Sequence, residues 1–146
     1  MENSLVYSGT GLALTENFEG IKLNSYQDSG GIWTIGFGHT HGVTEGMSCT
    51  MEQAYEWLTE DTQSAVNTVN KLVNFQLNQE EFDALVDFVY NLGAGNFASS
   101  TMLKLLNQGN LFNAALEFVK WVHCGGKVVQ GLLNRRIAET KEFNGK

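Results

Sequence analysis

Between Glu19 and Thr40 the chain reads EGIKLNSYQDSGGIWTIGFGHT, and inside this stretch the spacing of its apolar residues changes period. Leu14, Phe18 and Ile21 recur at the spacing of one helix face, and Gly20 stands where a left-handed C-cap residue belongs. From Lys22 to Tyr26 the alternation is that of a strand. Asp28-Ser29-Gly30-Gly31 has turn composition, and Ile32 to Phe37 is β-branched and aromatic enough to return as a second strand. A helix that hands over to a hairpin, with further helices after it, points to an α+β layout. It also puts Glu19 on the last helical turn, with Asp28 and Thr34 on the hairpin.

That placement carries chemistry. A carboxylate at a helix C-terminus faces the negative end of the helix dipole. If it also backs onto an apolar wall, its charged form is disfavoured twice. Asp28, in a glycine-rich turn, has backbone N–H groups within reach that favour its anion. Two carboxyls whose environments push them toward opposite protonation states are the layout of an acid and a base at one site. Spacing alone does not separate this pair from a surface glutamate and a turn aspartate.

With 146 residues the chain suits a single domain with its own core, in two lobes at most. No apolar run reaches the ~18 residues of a membrane span, so stable membrane insertion is not expected. MENSLVYSGTG lacks the basic and apolar regions of a signal peptide. The net charge of −7 is uneven: residues 1–100 carry −11 and residues 101–146 carry +4. This argues against nucleic acid as a partner, which calls for a basic surface. It also leaves the C-terminal third as the source of any attraction to an anionic one. Cys49 and Cys124 sit in a chain too long to need stapling, and His39, His41 and His123 make no zinc-ligand spacing with them, so neither a disulfide nor a metal is expected.

Along the chain, a first helix is expected at about 11–19, after polar residues 1–9 that are loose or form a short entry to it, with the hairpin region at about 22–46. Thr50-Met51-Glu52-Gln53 is a capping box. It opens a long helix to Leu72, whose inner stripe is Met51, Ala54, Leu58, Ala65, Val69 and Leu72, and whose Glu52, Glu56, Glu60 and Asp61 face water. Asn78 caps a helix with almost no polar face, stopped by Gly93 and Gly95. Ser99 or Ser100 caps the next. Asn110 caps another, which carries Phe112, Ala115, Leu116 and Val119 inward as far as Trp121. After a Gly125-Gly126 loop, a last helix spans Asn134 to Phe143 and bears Arg135 and Arg136.

Glu19-Gly20, Asp28 nine positions on, Thr34 six further, and then Ile35-Gly36-Phe37-Gly38-His39-Thr40 together resemble the phage lysozyme (endolysin) family, the family 24 glycoside hydrolases. The order of later segments follows that family over roughly residues 10–144. The resemblance implies an α+β, lysozyme-like fold: a small β-hairpin lobe at about 11–50, a linking helix at about 51–72 and a mostly helical lobe at about 73–146. It implies an enzyme that hydrolyses the β-1,4 bond between N-acetylmuramic acid and N-acetylglucosamine in bacterial peptidoglycan, for host cell lysis. Glu19 would be the general acid. Asp28 would hold the attacking water and stabilise the charge at the sugar carbon, and Thr34 would position that water; inversion is the expected outcome. Arg135 would stand beside Glu19, although Arg136 competes by one position. Asn91, in Tyr90-Asn91-Leu92-Gly93, would meet an N-acetyl group. His39 is expected to be structural, bonded to an acid of the helical lobe. Among the tryptophans, Trp33 is open to sugar stacking, while Trp57 and Trp121 lie on apolar helix faces and suit the core.

No cofactor or metal is implied. The expected partner is the peptidoglycan glycan strand, met by a monomer that stays in the host cytoplasm until a separate membrane-lesion protein releases it. Two other functions stay open. A lytic transglycosylase would need one glutamate and neither Asp28 nor Thr34. A wall-binding relative without turnover is favoured only by the acidic net charge. Chitin or chitosan cleavage is open on the same scaffold.

Overall fold

The first helix, α1 (Gly9–Glu19), ends where its carbonyls run out of partners. Gly20 takes φ +68°, and its N–H bonds the Glu16 carbonyl at 3.0 Å. The structure is a computed structural model that describes residues 2–146. The chain divides into two compact units. One is Leu12–Gln63, here the hairpin unit. The other, the helical unit, joins the residues up to Gly11 to Ser64–Lys146.

In the hairpin unit, β1 (Lys22–Gln27) pairs antiparallel with β2 (Trp33–Gly36), with Tyr26 opposite Thr34 and Lys22 opposite Gly36. Five residues of β1, Lys22 to Tyr26, lie opposite three of β2, so the strand bulges between Lys22 and Tyr26. The other edge of β1 takes residues 47–49: Ser25 N–H bonds the Met47 carbonyl and Cys49 N–H bonds the Leu23 carbonyl. The returning strand is shorter than the Ile32–Phe37 expected. The chain reverses at Gly36-Phe37-Gly38, and Ile35 and His39 exchange both backbone hydrogen bonds at 2.9 Å. Gly36 (φ +68°) and Gly38 (φ +89°) make that reversal possible, in a region L side chains avoid. Buried Ile35 and Phe37 form the unit's core with Ala54 and Leu58. A side chain at Gly36 would meet the Ala54 Cβ at 3.2 Å.

Helix α2 (Met51–Leu72) is continuous, with residues through Gln63 in the hairpin unit and those from Ser64 in the helical unit. The Thr50 hydroxyl caps it, accepting from Gln53 N–H at 3.1 Å. The buried stripe runs through Ala54, Leu58, Ala65, Val66 and Val69. Thr62 joins it by returning its hydroxyl to the Leu58 carbonyl. Met51, expected in the stripe, is exposed at the first helical position, and Leu72 is only half-buried.

The helical unit is built on α3 (Gln79–Leu92). Asn78 and Glu81 form the complete capping box at its start, and Gly93, φ +94°, ends it. Every residue from Phe82 to Val89 is buried, including Asp83 and Asp87. Gly95 does not stop α3; it lies inside a short α4 (Ala94–Ala98). Ser100, rather than Ser99, caps α5 (Thr101–Asn107). Asn110 caps α6 (Leu111–Ala115), which passes into a 3-10 turn at Phe118–Lys120 well short of the helix expected to Trp121. The inward face is correspondingly different. Ala114, Ala115 and Phe118 are buried, while Phe112, Leu116 and Val119 are exposed, Phe112 at 79%. A two-turn element that tightens into 3-10 geometry does not keep the 3.6-residue period on which the expected face relied.

The glycine loop is a small hairpin, β3 (His123–Cys124) with β4 (Lys127–Val128). The last helix, α7 (Gln130–Phe143), starts four residues earlier than Asn134. Phe88 packs edge-on against Phe97, Phe118 and Trp121 at the centre of the core.

The N-terminal segment is not loose. Asn3 is buried, and its amide nitrogen donates to the carbonyls of Val73 (2.9 Å) and Phe75 (3.0 Å) while its oxygen accepts from Leu77 N–H (3.0 Å). Asn70 exchanges two hydrogen bonds with the Leu5 backbone, and the Ser8 hydroxyl donates to the buried Asp83. Cys49 and Cys124 are both free thiols, one in each unit.

Candidate active site

Three residues singled out by the sequence, Glu19, Asp28 and Thr34, belong to the hairpin unit, and the local fold fixes each differently. Glu19 is the last residue of α1 and is half-buried. The turn after β2 comes up against it, so that a side chain at Gly38 would stand 3.1 Å from Glu19 Oε1. Glycine at this position is favoured by its φ, and a side chain there would have to displace the Glu19 carboxyl by a few tenths of an ångström.

Asp28 lies exposed in the β1–β2 turn, and its Oδ1 accepts from the N–H groups of Gly30 (2.8 Å) and Ile32 (2.9 Å). These two bonds hold the carboxylate in one orientation. They leave Oδ2 without a bond to the described residues. Thr34 is buried on β2, and its hydroxyl donates to the Ile32 carbonyl at 2.9 Å. With its proton committed there, the Thr34 oxygen can only accept from a further group. The Ile32 residue thus ties the two side chains together: its N–H orients Asp28 and its carbonyl orients Thr34.

His39 is buried in the same unit. Its Nδ1 lies 2.8 Å from Asp61 Oδ2, and its ring stacks on Trp57 at 4.4 Å with the planes 4° apart. The acid that holds it belongs to the first half of α2 rather than to the helical lobe. Asp61 is accordingly drawn partly out of the solvated face on which its helical position puts it. Trp33 is half-buried, and His41 is exposed.

The remaining residues lie in the helical unit, where four charged side chains of α3 and α7 are buried together. Arg135 donates to Asp87 through Nε (2.9 Å) and Nη2 (2.8 Å), a two-pronged pair in which the aspartate is fully buried. Arg136, also fully buried, places Nε 2.7 Å from Glu139 Oε1, and its Nη2 donates to Glu139 Oε2 (3.0 Å) and to Asn91 Oδ1 (2.8 Å). Its Nη1 is buried without a hydrogen-bond partner among the described residues, and the guanidinium carbon lies 5.2 Å from the Phe88 ring centre. Burial lowers the pKa of Arg136, against the opposing charge of Glu139. Burial pushes the Glu139 carboxyl well above the ordinary carboxylate range, and a hydrogen bond to Asp87 with that residue's charge raises it further.

Two of the seven cations of the C-terminal third are therefore internal, and a third, Lys120, is paired with Glu117. The local positive surface expected there is smaller than the sequence count. Sequence reasoning treated Arg135 and Arg136 as one ambiguous position and missed Asp87 and Glu139 altogether. The available signal was the pair Asp83 and Asp87 inside a helix with no other polar face, since buried acids require partners.

Among the described residues there is no cluster of His, Cys, Asp and Glu suited to a metal ion, and no helix long and apolar enough to cross a membrane.

A helix running into a bulged hairpin, a long second helix and a mostly helical second unit define an α+β, lysozyme-like protein. The family model described as phage lysozyme matches residues 16–139. An endolysin of Bacillus phage PZA is 43% identical over 140 residues, covering 94% of this chain and 54% of that protein, so the chain spans about half of that relative's length. The solved endolysin from Escherichia coli O157:H7 phage FAHEc1 superposes with a TM-score of 0.92 at 37% identity, covering 98% of this chain and 96% of the other. The muramidase domain of SpmX from Asticaccaulis excentricus superposes at 0.90 and 35%, covering 96% and 98%. The chain belongs to the phage lysozyme family, and so to the glycoside hydrolases.

Proposed function

We propose that the protein is a muramidase that hydrolyses the β-1,4 bond between N-acetylmuramic acid and N-acetylglucosamine in bacterial peptidoglycan, in the role of an endolysin that lyses the host from within. Family membership supports the reaction class. The observation that carries the assignment of residues is the pair of bonds at Ile32, which commit one oxygen of Asp28 and the proton of Thr34 and leave Asp28 Oδ2 and Thr34 Oγ1 as acceptors.

In this reading Glu19, in its acid form, gives its proton to the glycosidic oxygen as the bond from that oxygen to the sugar carbon breaks. A water held by Thr34 Oγ1 and Asp28 Oδ2 supplies the new oxygen. Its lost proton passes to Asp28, and solvent restores both carboxyls. The anion of Asp28 also stabilises the positive charge that develops at the sugar carbon. Attack by a water on the face opposite the leaving group gives inversion, which needs the two carboxyls about 6.5–9.5 Å apart. Asn91 binds the glycan, and His39, held by Asp61 and Trp57, has a structural role. The protein acts as a monomer without cofactor, and reaches the wall once a separate membrane lesion has been made.

Mass spectrometry of purified peptidoglycan after digestion tests this. Products ending in reducing N-acetylmuramic acid are expected, with the rate falling at least about 10²–10⁴-fold in Glu19→Gln. Ends in the 1,6-anhydro form would establish a transglycosylase and remove Asp28 from the chemistry. Folded protein that binds the wall and cleaves nothing would make it a binding relative.

A further inference from the structure

We propose that Gln27 is a positioning residue for Asp28, and that it acts through the peptide group joining Gly31 to Ile32. The part Asp28 plays in cleavage rests on the function proposed above; the hydrogen bonds that link it to Gln27 do not.

A trans peptide is a rigid plate whose N–H and carbonyl point in opposite directions. The Gly31–Ile32 peptide is held at both ends. Its N–H donates to Asp28 Oδ1 at 2.9 Å, and its carbonyl accepts from Gln27 Nε2 at 3.1 Å. Shape does not hold this plate. Gly31 takes φ +80°, it has the rotational freedom of a residue without Cβ, and nothing lies within 4 Å of where a Cβ would stand. Turned over, the peptide would set its carbonyl oxygen against the Asp28 carboxylate in place of its N–H. The Gln27 amide resists that rotation, because it would lose its acceptor. It also polarises the carbonyl, which strengthens the N–H at the far end as a donor to Asp28. The rest of the turn is tied without Gln27: Gly30 N–H donates to Asp28 Oδ1, and Gly31 N–H donates to the Asp28 carbonyl. Gln27 works from a fixed base, since it ends β1 with Trp33 opposite it on β2. Its side chain is exposed and is spent on this turn rather than on the core. What the bond secures is the orientation of a carboxylate, with Oδ1 turned into the loop and Oδ2 left outside it.

The test compares the unaltered protein with Gln27→Met, which keeps the length of the side chain and removes its donor. Two readouts are taken: steady-state cleavage of soluble glycan strands from peptidoglycan, and the amide resonances of the folded protein by NMR. In Gln27→Met, kcat should fall about two- to fivefold, the size of one neutral hydrogen bond, with KM unchanged because Gln27 orients Asp28 and does not itself hold the glycan. The Ile32 amide proton should move toward the position of a weaker hydrogen bond. The amides of Ile35 and His39, which bond each other beyond β2, should stay where they are and so report an intact fold. Gln27→Lys, which keeps an N–H donor on a chain of similar reach, should recover most of both effects. A full rate in Gln27→Met, a loss carried by KM instead of kcat, or an Ile32 amide that does not respond overturns the proposal. The two readouts also separate the two ideas. Cleavage by the unaltered protein that Gln27→Met leaves untouched sinks the role of Gln27 alone, whereas an Ile32 amide that responds in a protein that cleaves nothing supports the link from Gln27 to Asp28 and sinks the hydrolase.

Discussion

At the scale of the residue, the most informative group is one with no functional side chain. Ile32 offers its N–H to Asp28 and its carbonyl to Thr34, so the turn backbone, rather than a neighbouring side chain, decides which atoms of both residues stay available. This makes a sharp prediction. Thr34→Val keeps the β-branched shape that a buried strand position favours, but removes the acceptor and releases the Ile32 carbonyl. Steady-state cleavage of peptidoglycan should fall about 10²-fold. Thr34→Ser, which keeps the hydroxyl, should retain most of the rate. Equal activity of the valine and serine variants would remove Thr34 from the water-binding role. That Glu19 ends a helix and that Asp28 and Thr34 lie on the hairpin after it was readable from the change of period, whereas Thr34 was singled out only by the family resemblance. The orientation of their atoms was not readable, since it depends on a peptide group that every residue possesses.

At the scale of the element, α3 and α7 meet through charge as well as through apolar packing. The all-apolar look of α3 was legible and correct for its centre, yet it hid Asp87, whose partner lies 48 positions away. The inner face of α6 was illegible for a different reason: a five-residue helix offers too few turns to define a stripe. The buried quartet carries its own pH signature. The Glu139 carboxyl sits well above the ordinary carboxylate range, with burial as the first cause. A carboxyl raised in the folded state binds its proton more tightly there than in the unfolded chain. Its contribution to stability is complete below pH 4.5 and is lost as pH rises through the folded value. Glu139→Gln cannot titrate. Thermal unfolding followed from pH 4.5 upward should therefore fall less steeply for the variant than for the unaltered protein. Parallel slopes would mean that Glu139 ionises in the fold as readily as out of it.

At the scale of the whole molecule, the division into units does not follow chain order. The sequence suggested a lobe, a link and a second lobe in succession. The helical unit instead begins with the residues up to Gly11 and resumes at Ser64, so the hairpin unit is an excursion from it. Composition could not reveal this, because the bonds that make it are donated by ordinary polar residues: Asn3, Ser8, Asn70 and Gln79. Asn3→Ala would leave Leu77 N–H and the Val73 and Phe75 carbonyls without their side-chain partner. It should lower stability by about 1–3 kcal/mol in denaturant unfolding, far more than a loose terminal residue would. A change within a few tenths of a kcal/mol would show that water replaces those bonds.

The return of the first residues onto residues 70–83 also sets a timetable. During synthesis Asn3 and Ser8 leave the ribosome first, but the groups they bind are added some seventy residues later. Until then the opening segment has no partners, while the whole of the hairpin unit, residues 12–63, has already been made. A nascent chain halted between these points should show a protease-resistant hairpin unit trailing a digestible leader, and the leader should become protected only after Asp83 has emerged.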